Sequence, residues 1–307
     1  MKGKFGMNMK TMVAALVVTT AFGGTFAEAQ KPVAGREAPR IEEKNDDFPV
    51  KAETRLSFDT KYLSYGFVDD NRPMITPYGG ITFADWLKFD VKALFDVTKN
   101  GRRAGYHNRA WQYIEIDPAA HLVHEFKVED IGRVAFDFSY WYEYHPRSMG
   151  RFYGGDSQFA TFQVGLPDVF LEPVFYIERD FMRDDGVYAN LELGQTFALI
   201  EKDEDHDRNP LEFRLSVAQG LGNSRRVAGY ARNERGERIR HGGLMDTMFK
   251  ATLTWNITDR LYLTGYAAYS DFLFDRTIRD ASRRYEASGR WDESYNFIGG
   301  LAIGFNF

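Results

Sequence analysis

The chain has 307 residues, 44 acidic against 39 basic side chains, a formal net charge of −5 and no cysteine. Zero cysteines exclude disulfides, thiolate metal centres and a lipidated N-terminal cysteine, and the mildly acidic balance gives no electrostatic ground for nucleic-acid binding. Aromatic residues reach 16%, with 26 Phe and 17 Tyr, beside 27% charged residues, a combination that suits a chain in contact with both oil and water.

Residues 1–29 have the layout of a secretory signal peptide, with Lys2, Lys4 and Lys10, an apolar run from Met12 to Phe22, and Ala27-Glu28-Ala29 before Gln30. The apolar run falls short of the roughly 20 residues that a bilayer-spanning helix needs, so a cleaved leader is expected rather than an anchor. Residues 30–51 are rich in Pro, Glu, Lys and Asp without periodicity and read as a flexible periplasmic lead-in. A mean hydropathy of −0.44 and the lack of a second long apolar run exclude a bundle of spanning helices.

From there to the end, 52–307, a period of two dominates. The segment from Leu87 to Val97 sets Leu87, Phe89, Val91, Ala93, Phe95 and Val97 against Lys88, Asp90, Lys92 and Asp96. Val134, Phe136, Phe138, Tyr140, Tyr142 and Tyr144 oppose Asp137, Ser139, Trp141 and Glu143. Phe249, Ala251, Leu253, Trp255 and Ile257 oppose Lys250, Thr252, Thr254 and Asn256. These are strand periods. Marking each run predicts twelve strands, near 52–64, 73–83, 86–98, 109–124, 131–144, 157–166, 169–180, 187–199, 211–220, 247–257, 260–271 and 294–307. Tight connections at Ala84-Asp85, Leu166-Pro167-Asp168 and Thr258-Asp259-Arg260 alternate with long ones at 99–108, 145–156, 221–246 and 272–293. Short turns on one side and long loops on the other fit an all-β, antiparallel, up-and-down transmembrane barrel in the outer membrane, its short turns periplasmic. A soluble β-sandwich also alternates, but its strands are usually nearer five or six residues, whereas many runs here reach about ten, the length of a tilted spanning strand.

The last run places Tyr295, Phe297, Gly299, Leu301, Ile303, Phe305 and Phe307 on one face and mostly small or polar residues on the other. In a closed barrel the final strand pairs with the first, so no sheet edge meets lipid. An aromatic, alternating last strand that ends in Phe resembles the assembly signal of bacterial outer-membrane proteins. That resemblance implies that Tyr295, Phe297, Phe305 and Phe307 serve recognition by the barrel-assembly machinery as well as facing lipid.

The stretch TKYLSYGFVDDNRP is similar to the opening of the TorF-type porins, in the pattern carried by Thr60, Tyr62, Gly66 and Pro73. Tyr65 departs from it, because that family often has Arg before the Gly. LPDVFLEP, with Tyr176 and Asp180 after it, also resembles that family's middle region. About a third of the chain is covered, and the resemblance implies an outer-membrane pore without catalytic residues.

If the apolar stripes face lipid, the expected aqueous lining includes Lys61, Lys88, Asp90, Lys92, Asp137, Glu143, Glu192, Arg214 and Lys250, together with Asp59, Asp96, Glu172, Glu178 and further charges. Both signs are present, which suits either a weakly selective hydrated path or salt-bridged plugging. Chemistry has weak footholds. His145 and Ser148 are the nearest approach to a hydrolase pair, His121 and His124 lie on opposite strand faces, and the alternate Asp203, Asp205, Asp207 and Asn209 lack the Gly and distal Glu of a calcium loop. The Arg-rich stretches 225–241 and 275–290 read as a rim that meets lipopolysaccharide phosphate, or as an anion-attracting mouth. The expected function is therefore a porin-like channel for small hydrophilic solutes, without enzyme activity, cofactor, metal or nucleic acid, and with a possible homo-oligomeric state. A non-conducting structural or adhesive barrel is the alternative, and a barrel hydrolase the third.

Overall fold

The computed structural model describes residues 50–70, 72–97, 112–145, 155–202, 208–233, 235–282 and 295–307. The expected leader, nearly all of the lead-in and Ser148 lie outside these residues. Twelve antiparallel strands close into one barrel: β1 (Val50–Asp59), β4 (Met74–Phe83), β5 (Leu87–Asp96), β6 (Gln112–Val128), β7 (Gly132–Glu143), β8 (Ser157–Gly165), β9 (Val174–Asp180), β10 (Val187–Ile200), β11 (Leu211–Gly222), β12 (Gly243–Asn256), β13 (Leu261–Asp271) and β14 (Asn296–Asn306). Each pairs with its neighbours in sequence. A small hairpin, β2 (Tyr62–Ser64) and β3 (Phe67–Asp70), sits apart from the barrel sheet. Two seven-residue helices, α1 (Ser224–Tyr230) and α2 (Arg276–Ser282), lie in the long-loop connections.

The seam is made by β1 and β14, registered from Glu53↔Asn306 to Asp59↔Gly300. Phe307 N–H extends it by donating to the Ala52 carbonyl at 2.8 Å. Closure leaves no lipid-facing ladder of unpaired amides at this seam, the condition for strands in hydrocarbon.

Burial follows the two-residue period. On β14 Phe297, Leu301 and Ile303 are exposed, whereas Asn296, Ile298, Gly300, Ala302 and Gly304 are buried. The outside carries a belt of exposed Leu, Ile and Phe, including Leu56, Leu122, Leu215, Leu253 and Leu301. Exposed aromatics edge the belt at both ends, Trp86, Phe126, Trp255 and Phe307 on the short-turn side and Tyr144, Phe181, Tyr295 and Phe297 on the other. Such girdles mark the two interfaces of a bilayer.

The small inward face of β14 has a specific cause. A Cβ on Gly304 would fall within the ring of Tyr262, and one on Gly300 would meet Tyr266 and Asp59. These tyrosines lie across the strand inside the barrel, and Tyr266 Oη donates to Asp59 Oδ1 at 2.6 Å.

Two boundaries that shape the lumen differ from the sequence expectation. The first strand ends at Asp59, because the chain turns into the lumen as the hairpin and does not continue to 64. The seventh barrel strand starts at Val174 and not at 169, because Leu171 and Glu172 adopt positive φ (65° and 35°) and fold the turn inward. The β9–β10 connection spans 181–186, as the expected strand bounds have it.

Overpacking the inner face of the last strand should cost about 1–3 kcal/mol. Gly304→Val is expected to lower the temperature at which the heat-modifiable gel band of the folded barrel is lost. Gly299→Val, on the outward face with its nearest neighbour 3.5 Å away at the Tyr266 carbonyl, should leave that temperature nearly unchanged.

Candidate functional site: the lumen and its crossbar

The inward side chains enclose a cavity of about 1680 Å³. It runs from the short-turn rim, at Asp85, Trp86, Arg208, Asp259 and Arg260, up to Tyr62, Tyr65, Tyr176, Glu178 and Tyr230. Of the residues expected to line it, Lys88, Asp90, Lys92, Asp137, Glu143, Glu192, Arg214 and Lys250 do so. Lys61 is placed elsewhere. It lies in the link between β1 and the hairpin, outside the lining, with its Nζ 3.4 Å from Asn296 Oδ1. The displacement follows from the early end of β1.

Lining charges are held in networks. On β5, Lys88 reaches Glu53 at 2.6 Å and Asp90 at 3.5 Å, while Tyr78 donates to Glu53 and, at 3.0 Å, to Asp90. His121 stands between Asp90 at 3.2 Å and Asp137 at 3.0 Å, whereas His124 packs against Phe126 and Phe136. Lys92 pairs with Asp117 at 2.7 Å and lies 5.4 Å from the Trp141 ring centroid. On the far wall Arg214 contacts Glu172 and Glu192. Glu172 arrives there because the inward-folded turn is tied to β10 by Gly194 N–H donating to the Leu171 carbonyl at 2.8 Å. Thr196 also donates to Glu172, at 2.7 Å from its backbone N–H and 2.9 Å from its hydroxyl.

The hairpin spans the lumen. Its two-residue turn, Tyr65-Gly66, has φ of 54° and 84°, the double left-handed geometry that matches the twist of paired strands. A Cβ on Gly66 would clash with Asp246 on β12 and with Phe272, so glycine lets the tip press against the wall. Tyr65 Oη donates to Glu178 on β9. In the circular strand order β9 lies six places from β1, diametrically across the barrel from the strand that launches the hairpin.

Beyond the tip, an apolar cluster fills this side of the long-loop half. It contains Tyr65, Phe67, Tyr188, Val227, Tyr230, Met245, Phe272 and Ile278. Arg226 of α1 is fully buried beneath it, with Glu178 at 3.3 Å, Asp184 at 3.1 Å, Asp180 at 3.8 Å and the Tyr65 ring centroid at 4.3 Å. Asn223 caps the helix by accepting from Arg226 N–H at 2.9 Å, and it also accepts from Val187 N–H. Burial is the main cause that pushes the Asp184 carboxyl up to about 6, with Arg226 working in the opposite direction.

Across the lumen, Glu115, Glu143 and His145 bring potential ligand atoms within 4.8 Å of one another. Tyr62 already donates to Glu115 at 3.2 Å, and Arg183 to Glu143. Burial is the main cause that lowers the pKa of His145, with Glu143 working in the opposite direction. The positive charge of Arg183 fills the role that a metal ion would take against Glu143. Asn209 accepts from Lys202 N–H and donates to Glu212, while Asp203, Asp205 and Asp207 lie outside the described residues.

A closed ladder, an apolar belt bounded by aromatics and an interior cavity lined by charged side chains define a transmembrane β-barrel of the bacterial outer-membrane class. No family model matches the chain, and no curated protein matches it in sequence. Among solved structures it is similar to the KdgM porin, with 8% identity over 84% of this chain and 99% of that one and a TM-score of 0.46. An outer membrane channel from Pseudomonas putida F1 gives 9%, 91%, 100% and 0.45, and the NanC porin 9%, 84%, 99% and 0.42.

Removing the buried guanidinium should leave Glu178, Asp180 and Asp184 without their shared counter-ion, a loss of about 3–5 kcal/mol for a buried pair. Arg226→Gln is expected to expose the 225–241 segment to externally added trypsin in intact cells while the barrel stays heat-modifiable. Unchanged protection would contradict the anchoring role.

Proposed function

We propose that the barrel is a porin-like outer-membrane channel for passive diffusion of small hydrophilic solutes, with the β2–β3 hairpin as its constriction. The observation that carries this reading is the cavity of about 1680 Å³, lined by fixed charges of both signs and reaching the hairpin from the short-turn rim. Charged linings hold water and keep a path hydrated, and a twelve-strand barrel is wider than the eight-strand type that side chains alone can fill. The likeness of Thr60, Tyr62, Gly66 and Pro73 to the TorF-type porins supports the same assignment and gives the hairpin a sequence signature.

The same reading takes in the contacts expected at the surface. Tyr295, Phe297, Phe305 and Phe307 are assigned to recognition by the assembly machinery, Arg-rich loop segments to lipopolysaccharide phosphate, and self-association is compatible with the outer belt. A leader over 1–29 and a periplasmic lead-in over 30–51 complete the proposed organisation.

The rival is a non-conducting structural or adhesive barrel, favoured by the apolar cluster that backs the hairpin. Planar-bilayer recording separates the two. Refolded protein is expected to give small conductance steps, and replacing 62–70 by a short Gly-Ser linker should enlarge them at least about twofold, since current follows the open cross-section. Absence of steps in both proteins would establish the blocked barrel instead.

A further inference from the structure

The tip of the crossbar is packed against a helix that a charge cluster holds down. α1 lays Val227 and Tyr230 into the apolar cluster around Tyr65 and Phe67 of the hairpin. The Tyr65 and Tyr230 rings meet edge-on with centroids 5.2 Å apart, and Phe67 stacks on Tyr230 at 5.4 Å. Lifting α1 would therefore unpack the tip.

The seat beneath the helix is unbalanced in charge. Arg226 brings one guanidinium to three carboxylates, Glu178 and Asp180 from β9 and Asp184 from the 181–186 connection. Arg183, the other cation that acts on Asp184, is drawn to Glu143 of β7. All three carboxylates are buried, with side-chain exposures of 4%, 0% and 5%. Glycine lets Asp184 come this close to the helix, since a Cβ on Gly229 would stand 2.6 Å from its Oδ2. On its other side Asp184 accepts from Gly186 N–H at 2.6 Å.

A buried cluster with more negative than positive charge is relieved by taking up a proton. Asp184 belongs to the connection and not to the barrel wall. Burial, opposed by Arg226 and reinforced by Asp180, holds its carboxyl at about 6. With α1 lifted, water reaches Asp184 and the ordinary carboxylate value of about 4 returns. The seated form thus keeps a proton that the lifted form releases. Its advantage is complete below about pH 4 and is lost as pH rises through about 6.

We propose that α1 and the 181–186 connection form a proton-operated latch on the crossbar, which acid tightens and neutral pH loosens. The effect of the latch on flow rests on the channel reading, whereas the movement of α1 does not.

Labelling of single cysteines with a charged, membrane-impermeant thiosulfonate tests the latch without any need for conduction. Val227→Cys and Ala228→Cys probe the buried face of α1, and the exposed Ser224→Cys on the same helix corrects for the pH dependence of the reagent. In protein that keeps its heat-modifiable band, the ratio of buried to exposed labelling rates is expected to be about tenfold lower at about pH 5 than at about pH 7.5. Asp184→Asn, a permanent stand-in for the protonated acid, should make the ratio equal at both. A ratio that ignores pH while Asp184 is in place, or a dependence that survives Asp184→Asn, would overturn the latch. In planar bilayers the mean conductance should be smaller at the lower pH. A latch seen by labelling, with no current steps at either pH, would remove the channel reading and leave the latch standing.

Discussion

Backbone amides in hydrocarbon have no water to bond, and that constraint organises the whole molecule. Each of the twelve strands is paired on both sides, and the ring is closed where β1 meets β14. Once the ladder is sealed, each strand has one face toward lipid and one toward the lumen, and side-chain chemistry divides accordingly. The apolar belt outside and the ion networks inside are two consequences of one closure. Even the glycines of β14 follow from it, since the tyrosines they accommodate belong to the inner face.

That division explains why most of the fold was legible in the sequence. A strand between two solvents must alternate strictly, so the runs around Leu87–Val97, Val134–Tyr144 and Phe249–Ile257 announce both their structure and their orientation. The eight lining residues at 88, 90, 92, 137, 143, 192, 214 and 250 were readable for the same reason: each stands in phase with a lipid-facing apolar neighbour.

Where the chain leaves the wall, the two-solvent rule no longer applies. The hairpin at 62–70 was read partly as the end of the first strand, because its tyrosines and aliphatics look like wall residues and its turn is Tyr-Gly, a weaker signal than Asn-Gly. Lys61 was misplaced by the same error. The short helices have too few residues to show a helical stripe, and the inward turn at Leu171-Glu172 depends on backbone angles that neither residue type favours. The tyrosines at the crossbar, Tyr62, Tyr65, Tyr176 and Tyr230, were missed because a barrel sequence suggests lipid for any aromatic. Their hydroxyls are the usable hint, since a phenol inside the lumen has carboxylates to bond, as Tyr62 has Glu115 and Tyr65 has Glu178.

The natural lack of cysteine allows the central claim, lipid outside and water within, to be tested residue by residue. Single cysteines introduced along β12 at 250 to 255 would be exposed to a charged, membrane-impermeant thiol reagent in reconstituted bilayers. The account predicts that Lys250→Cys, Thr252→Cys and Thr254→Cys react while Ala251→Cys and Leu253→Cys do not. Uniform reactivity along the strand would contradict it, because a wall facing water on both sides is not a membrane barrel.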